Sequence, residues 1–269
     1  MSEIKVMSFN LRIRVEADGD NFFDLRCPKI LSLIKREQPD VIGFQEADDV
    51  MRDMLAKDLP EYVFLGHGRS KEYDGEGTPI AYKKDRFYLH GFREEWLSVT
   101  PSTPATRIKG LDQSGCPRVY CCAELVDRET KKLFAFYNTH LDHKGKVAQI
   151  AETMMICQRI EQGKLPYVLT GDFNARPDHD AIKMLLATKE TLGTVDATER
   201  IAGTCHNFSM ERIGKGDMSK IDYIFTNLHV DPARSYAIAD DNSDGCFYSD
   251  HNAVCAFVNM TNPETENEE

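Results

Sequence analysis

The stretch Tyr167-Val168-Leu169-Thr170-Gly171-Asp172-Phe173-Asn174 is an apolar run that stops abruptly on an acid, an aromatic and an amide. A buried strand ending this way carries Asp172 and Asn174 two residues apart, on one face of its rim, where a carboxylate and a carboxamide can act together. Gly, Asp and Asn are also turn formers, so taken alone the final tetrapeptide reads equally as a turn. Other strands decide between the two, because they end in the same manner. Ile4 to Asn10 closes on Phe9-Asn10, Val41 to Glu46 on an amide and an acid, and Leu133 to Tyr137 runs into Asn138-Thr139-His140-Leu141-Asp142-His143.

Helical patterns separate these strands. Ile30, Leu31, Leu33 and Ile34 predict a helix near Pro28 to Arg36, a second runs from about Ala47 to Leu59, and Val147, Ile150, Ala151 and Met154 stand at helical spacing in a third. The order strand, helix, strand ending in an acid, helix therefore occurs twice, over Ile4 to Leu59 and over Leu133 to about Leu186. Two such halves pack sheet against sheet as a four-layer α/β/β/α sandwich of two mixed sheets with helices outside. Tyr62 to Leu65, Thr78 to Lys83, Phe87 to Ser98 and Arg118 to Val126 read as strands extending those sheets. In the last third, Lys220 to Phe225 buries Asp222 among β-formers, and a buried Asp needs a partner. Tyr248-Ser249-Asp250-His251-Asn252, before the strand Ala253 to Val258, offers a candidate partner and a candidate metal ligand. Asn10, Glu46, His140, Asp172 and Asn174 would then converge on one cleft.

Of 269 residues, 41% are hydrophobic, enough for one substantial core. Residues 1–260 read as a single catalytic domain and the acidic stretch 261–269 as a disordered tail. The net charge of −11 disfavours gripping duplex nucleic acid through phosphate neutralisation. No run approaches the roughly 18 apolar residues of a membrane span, and Met1-Ser2-Glu3-Ile4-Lys5 leads straight into a strand, so no membrane partner and a cytoplasmic location are expected. The eight cysteines form no C-x-x-C pair, which argues against a disulfide framework or a cysteine-zinc site.

The ordered set Ser8-Phe9-Asn10, Gln45-Glu46, Asn138-Thr139-His140, Gly171-Asp172-Phe173-Asn174, Lys220-Ile221-Asp222-Tyr223 and Ser249-Asp250-His251 resembles the endonuclease/exonuclease/phosphatase superfamily (deoxyribonuclease I-like), and Asp142-His143 directly after Thr139-His140-Leu141, with the sequel Lys144-Gly145-Lys146, resembles its compact bacterial members. The resemblance covers essentially the whole chain and implies the same sandwich. Attack on a phosphate ester needs a metal to neutralise its oxygens, a base to activate water, and donors for the charge that builds on the phosphoryl group. Oxygen ligands at Asn10, Glu46 and Asp250 suit Mg²⁺ or Mn²⁺. Asp172 is the candidate base, and Asn174 holds the water or the phosphate. His140 and His251 donate to phosphate oxygens, and Asp222 fixes and charges His251. These roles match what the resemblance implies. Arg118 is a candidate phosphate ligand by its fork geometry. His206, in Thr204-Cys205-His206-Asn207-Phe208, is a candidate for a substrate loop. That segment is similar to a Thr-Phe-His-Gly-Phe run of some relatives, from which Cys205 and Asn207 depart.

The acidic balance and the lack of a Lys/Arg-rich arm favour a small phosphorylated metabolite, a sugar phosphate or nucleotide, with DNA or RNA cleavage as the alternative. Two other classes compete. His140-Leu141-Asp142-His143 has part of a binuclear zinc motif, although Asn138 replaces its first histidine, and a non-catalytic scaffold would keep the fold without the chemistry. Pro101 to Gly115, long and turn-rich, suggests a substrate lid. Arg12 and Arg14 are either solvated charges or cleft residues. Trp96 is expected in the core, and His67, His90, His179 and His229 at surface or capping positions.

Overall fold

The computed structural model describes residues 3–240, 242 and 245–260. The acidic tail at 261–269 lies outside the described residues. In chain order the elements are β1 (Glu3–Asn10), α1 (Phe23–Glu37), β2 (Val41–Gln45), α2 (Asp49–Asp58), β3 (Tyr62–Leu65), β4 (Ile80–Lys83), β5 (Phe87–Trp96), β6 (Val119–Asp127), β7 (Leu133–His140), α3 (Lys146–Gly163), β8 (Tyr167–Asp172), α4 (Asp180–Ala187), α5 (Lys189–Leu192), β9 (Val195–Asp196), α6 (Met210–Lys215), β10 (Asp222–Thr226), β11 (His229–Val230), β12 (Tyr236–Ala237) and β13 (Val254–Asn259).

Two mixed sheets result. The first has the order β11-β13-β1-β2-β4-β3, with β12 also on β13, and the second β5-β6-β7-β8-β10-β9. In each half a parallel pair, β1 with β2 and β7 with β8, brackets a helix, as the sequence repeat requires. Alternation along the strands builds three apolar layers. Val6, Val41, Val254, Phe134, Phe136, Val168 and Ile224 fill the space between the sheets. Met7, Ile42, Phe44 and Cys255 pack against Ile30, Leu33, Ile34, Met51 and Leu55 of α1 and α2. Tyr137, Leu169 and Phe225 pack against Ile156, Ile160, Ile182 and Leu185 of α3 and α4. Each large apolar side chain contributes about 1.5–3 kcal/mol on burial, and together they hold a four-layer α/β/β/α sandwich.

Two local features differ from the sequence expectation. α1 begins at Phe23 and carries Pro28 inside it, because Phe23, Arg26 and Cys27 are buried and hold the first turns. In α3 the spacing is helical, yet the expected apolar stripe faces out: Val147 and Met154 are 54% and 57% exposed, while Gln149, Glu152 and Thr153 are buried. The polar face is inside because it supports the strand ends. Gln149 Nε2 donates to the Asp142 and Asn174 carbonyls, and Glu152 Oε2 accepts from Asp142 N at 2.8 Å.

Trp96 lies in the core, and all eight cysteines are free. His67, His90 and His229 are exposed, and His179 caps α4. Among the described residues no helix is long and apolar enough to cross a membrane.

Candidate active site

Strand register assembles the site. β7 and β8 set His140 opposite Asp172, and β8 and β10 set Asp172 opposite Asp222. Neighbouring strands lie about 4.8 Å apart, so three residues distant in sequence form a row across one end of the second sheet. Asn10 ends β1 of the first sheet, and its amide nitrogen reaches Asp172 Oδ2 at 3.0 Å and Glu46 Oε1 at 3.2 Å. The sheets are clamped just beneath. Asn138 Nδ2 donates to the Phe44, Thr78 and Pro79 carbonyls, and Asn138 Oδ1 accepts from Gln45 Nε2 at 2.7 Å. Gly43 permits this approach, since a Cβ there would stand 2.1 Å from Thr170 Oγ1.

His251 Nδ1 lies 2.8 Å from Asp222 Oδ2, and its Nε2 lies 3.9 Å from Asp172 Oδ2. Burial opposes a charge on this imidazole, but Asp222 and Asp250 outweigh it and hold His251 well above its ordinary range. Burial, reinforced by Asp222, pushes Asp172 up to about 7. Asp172 Oδ1 accepts the Asn174 N–H at 2.8 Å. Glu46 and Asn174 both leave their strands in the left-handed region, with φ of 59° and 48°. For Glu46 this costs about 1 kcal/mol or more, and it turns the residue off the strand path.

The tautomer of His140 follows from its neighbour. Asn174 Nδ2 lies 3.0 Å from both the Leu141 carbonyl and His140 Nε2. A carbonyl can only accept, so the NH₂ group faces this side, His140 Nε2 accepts from it, and the ring proton sits on Nδ1. That Nδ1 is buried with no hydrogen-bond partner among the described residues. Burial, with the charges of Arg118 and Arg69 adding to it, holds His140 well below its ordinary range and therefore neutral.

Arg118 is 2% exposed. Its Nη2 meets His143 Nδ1 at 2.8 Å, its Nε lies 3.8 Å from Asp142, and its Nη1 has no hydrogen-bond partner among the described residues. Arg69 Nη2 pairs with Glu76 Oε2 at 2.7 Å, and Glu76, Glu46 and His140 offer atoms within 4.8 Å of one another. The sequence pattern does not single out Arg69 and Glu76. Their segment has no period, and its one signal is an acid between two glycines, Gly75-Glu76-Gly77. Gly77 is required there, because a Cβ would lie 2.0 Å from the His67 carbonyl oxygen.

The carboxylates suit a hard cation. Burial, with Glu46 adding to it, raises the Asp250 carboxyl, against the opposing charges of His251, Arg12 and Arg26. Asn10 enters differently from a simple ligand: its amide nitrogen faces Glu46 and Asp172 while its Oδ1 accepts from Arg12 N at 2.9 Å, so coordination through that oxygen beside Glu46 would require the amide to turn over. His140, protonated at Nδ1 and accepting at Nε2, has no lone pair free for a metal. Asp172, Asp222 and His251 are also close-set, but the charged imidazole already occupies that group.

Other expectations resolve geometrically. His206 is fully buried, its ring packs on Phe247 at 5.0 Å, and its backbone N–H donates to the Asp250 carbonyl at 2.9 Å, so it stands behind Asp250 instead of on an open substrate loop. Arg12 is paired with Asp18 and Arg14 with Asp24. Asp142 is not available to zinc: it accepts from Ser114 N, Ser114 Oγ, Lys144 N and Gly145 N. Those bonds also fasten the end of the segment expected to be a lid. Asp112 accepts from Val147 N and Ala148 N at the start of α3, and Gln113 donates to Glu152 at 3.2 Å. Residues 112–114 are therefore a fixed flank of the site.

The sequence matches the Endonuclease/Exonuclease/phosphatase family over residues 7–251. The chain belongs to that family. Its similarity to solved structures extends over nearly the whole length. An endonuclease/exonuclease/phosphatase from Bacteroides vulgatus is 29% identical with a TM-score of 0.88, covering 97% of this chain and 100% of that one. A mannosyl-6-phosphatase from Bacteroides thetaiotaomicron is 26% identical with a TM-score of 0.80, covering 95% and 100%. Among curated proteins, Nocturnin from Xenopus laevis is 26% identical over 217 residues, 71% of this chain and 52% of that protein. The chain spans about half the length of the curated relatives it matches. The family is named for endonucleases, exonucleases and phosphatases, all of which cleave phosphate esters.

Proposed function

We propose that this chain hydrolyses a phosphate monoester of a small metabolite, a sugar phosphate or a nucleotide, with Mg²⁺ or Mn²⁺. The observation that carries the reading is a pair of buried donors left without partners among the described residues, Arg118 Nη1 and His140 Nδ1, next to a carboxyl raised to about 7 at Asp172. A buried unpaired donor costs about 1–3 kcal/mol, and a phosphoryl group would satisfy both.

Glu46 and Asp250 would hold the cation, which when bound supplies positive charge to the phosphate oxygens. Asp172 takes the proton of the attacking water, which Asn174 orients. The ester P–O bond breaks as the water oxygen bonds to phosphorus, and the departing alcohol recovers a proton from solvent. His251, kept charged by Asp222, donates Nε2–H to the phosphoryl oxygens, and Arg118 and His140 meet the remaining charge. A metabolite is favoured over nucleic acid by the net charge of −11 and by the full-length likeness to a mannosyl-6-phosphatase. A cytoplasmic location goes with this reading, on the eight free cysteines.

The test is a panel of phosphomonoesters and phosphodiesters with Mg²⁺ or Mn²⁺, run beside single-stranded and duplex nucleic acid. Phosphomonoester turnover is expected. Efficient nucleic-acid cleavage without phosphatase turnover would overturn the proposal.

A further inference from the structure

A second opening lies beside the reaction centre. A cleft of about 630 Å³ extends from Asn174 between the segment leading into α3 and the segment leading into α4. Its hydrogen-bonding character is set by what stands behind each side chain. His143 Nδ1 lies 2.8 Å from Arg118 Nη2, and a guanidinium can only donate, so Nδ1 accepts and the ring proton is on Nε2. His179 caps α4, with Nδ1 accepting from Ala181 N at 3.2 Å, which fixes the same tautomer. Each imidazole is left with one N–H to give to a ligand.

Charge adds to this. Lys144 and Lys146 line the same cleft, and neither enters an ion pair among the described residues. Two uncommitted ammonium groups beside one pocket are unexpected in a chain with a net charge of −11. The acids on the opposite rim are Asp178 and Asp180, and Asp180 is turned to Lys183 at 3.8 Å. Arg176 is engaged with Ser219 Oγ at 2.9 Å. Among the described residues no phenyl, phenol or indole ring lines the cleft, so they offer no platform on which a nucleobase could stack.

We propose that this cleft is a second anion subsite, which receives a further phosphate carried by the alcohol half of the substrate. Lys144, Lys146 and the two imidazole N–H groups meet that phosphate while the scissile one lies against Asn174, His140 and Arg118. Arg118 joins the two subsites, since one guanidinium nitrogen orients His143 and another is free for the reacting group. The inference rests on the phosphoesterase reading and narrows it to sugar bisphosphates.

The experiment compares a hexose 6-phosphate with the matching 1,6-bisphosphate, for the unmodified protein and for a Lys144→Gln, Lys146→Gln double variant whose fold is checked by circular dichroism. The unmodified protein is expected to prefer the bisphosphate about tenfold in kcat/KM, as two charge-assisted contacts at a half-open site would give. The double variant is expected to lose that preference with monophosphate turnover unchanged. Equal falls on both substrates, or no preference at the outset, would overturn the subsite. If neither ester is turned over, the phosphoesterase reading has failed, and calorimetric binding of the bisphosphate then decides the subsite alone. Binding that weakens about tenfold in the double variant supports it, and absent or unchanged binding overturns it.

Discussion

Asp222 stands directly opposite Asp172 across the β8–β10 pair, and His251 reaches both, at 2.8 Å and 3.9 Å. Two buried acids in adjacent strands repel, and the charged imidazole between them offsets part of that repulsion while becoming a donor for phosphate. Replacing Asp222 with Asn keeps the shape and removes the charge. Turnover should fall by about 10²–10⁴ with KM little changed, the behaviour of a residue that holds an imidazole in its working state. Steady-state kinetics on a phosphomonoester checks this, and unchanged kcat would remove Asp222 from the mechanism.

Glu46 accepts from Asn10 Nδ2 at 3.2 Å and from Ile13 N at 2.9 Å, so Glu46→Gln keeps the side-chain length but turns an NH₂ toward one of these two donors, and it should weaken a cation site. Chelation should abolish turnover, and Mg²⁺ or Mn²⁺ should restore it. The variant should need about tenfold or more Mg²⁺ for half-activation. Superimposable activation curves would place the cation elsewhere.

Gly43 faces Thr170 and Asn138 across the two sheets. Gly43→Ala should cost about 1–3 kcal/mol by overpacking and lower activity, because the clamp that sets the two halves of the site would shift. Urea denaturation with an unaltered midpoint would show that the sheets yield freely there.

Burial pushes Glu152 up to about 8, against about 4.3 in an unfolded chain. Between these values the folded protein holds a proton that the unfolded chain has lost, so this residue's contribution falls as pH rises and its penalty is complete above a pH of about 8. Glu152→Gln breaks part of the link to Asp142 and Gln113 at every pH but removes the titration. The stability difference between variant and parent should therefore move in the variant's favour by about 2–4 kcal/mol between roughly pH 4.5 and pH 8.5. Thermal or urea unfolding at several pH values measures it, and parallel pH profiles would contradict the assignment.

Much of the site can be read from the sequence because it lies at strand ends. Asn10, His140, Asp172 and Asp222 each close or open a strand, and a switch from apolar alternation to a polar residue marks the rim whatever the register. Register itself, which makes neighbours of His140, Asp172 and Asp222, depends on contacts between distant segments and leaves no local trace. Arg69 and Glu76 escape notice because an irregular segment has no period, and it is brought to the site by long-range contacts such as the Gly77 N–H donating to the Ala47 carbonyl at 2.8 Å. The inward polar face of α3 defeats the usual apolar rule for a physical reason: Gln149 and Glu152 satisfy backbone groups just past the ends of β7 and β8, which no apolar side chain could do.

Trp96 is the only tryptophan in the chain, and its indole N–H donates to the Arg69 carbonyl at 2.9 Å while the Arg69 side chain holds Glu76. Indole emission responds to the strength of that hydrogen bond and to nearby charge. The protein thus contains a single indole wired by two contacts to its acidic cluster, and titrating Mg²⁺ or inorganic phosphate against its selectively excited emission should report filling of the site without a label or a turnover assay.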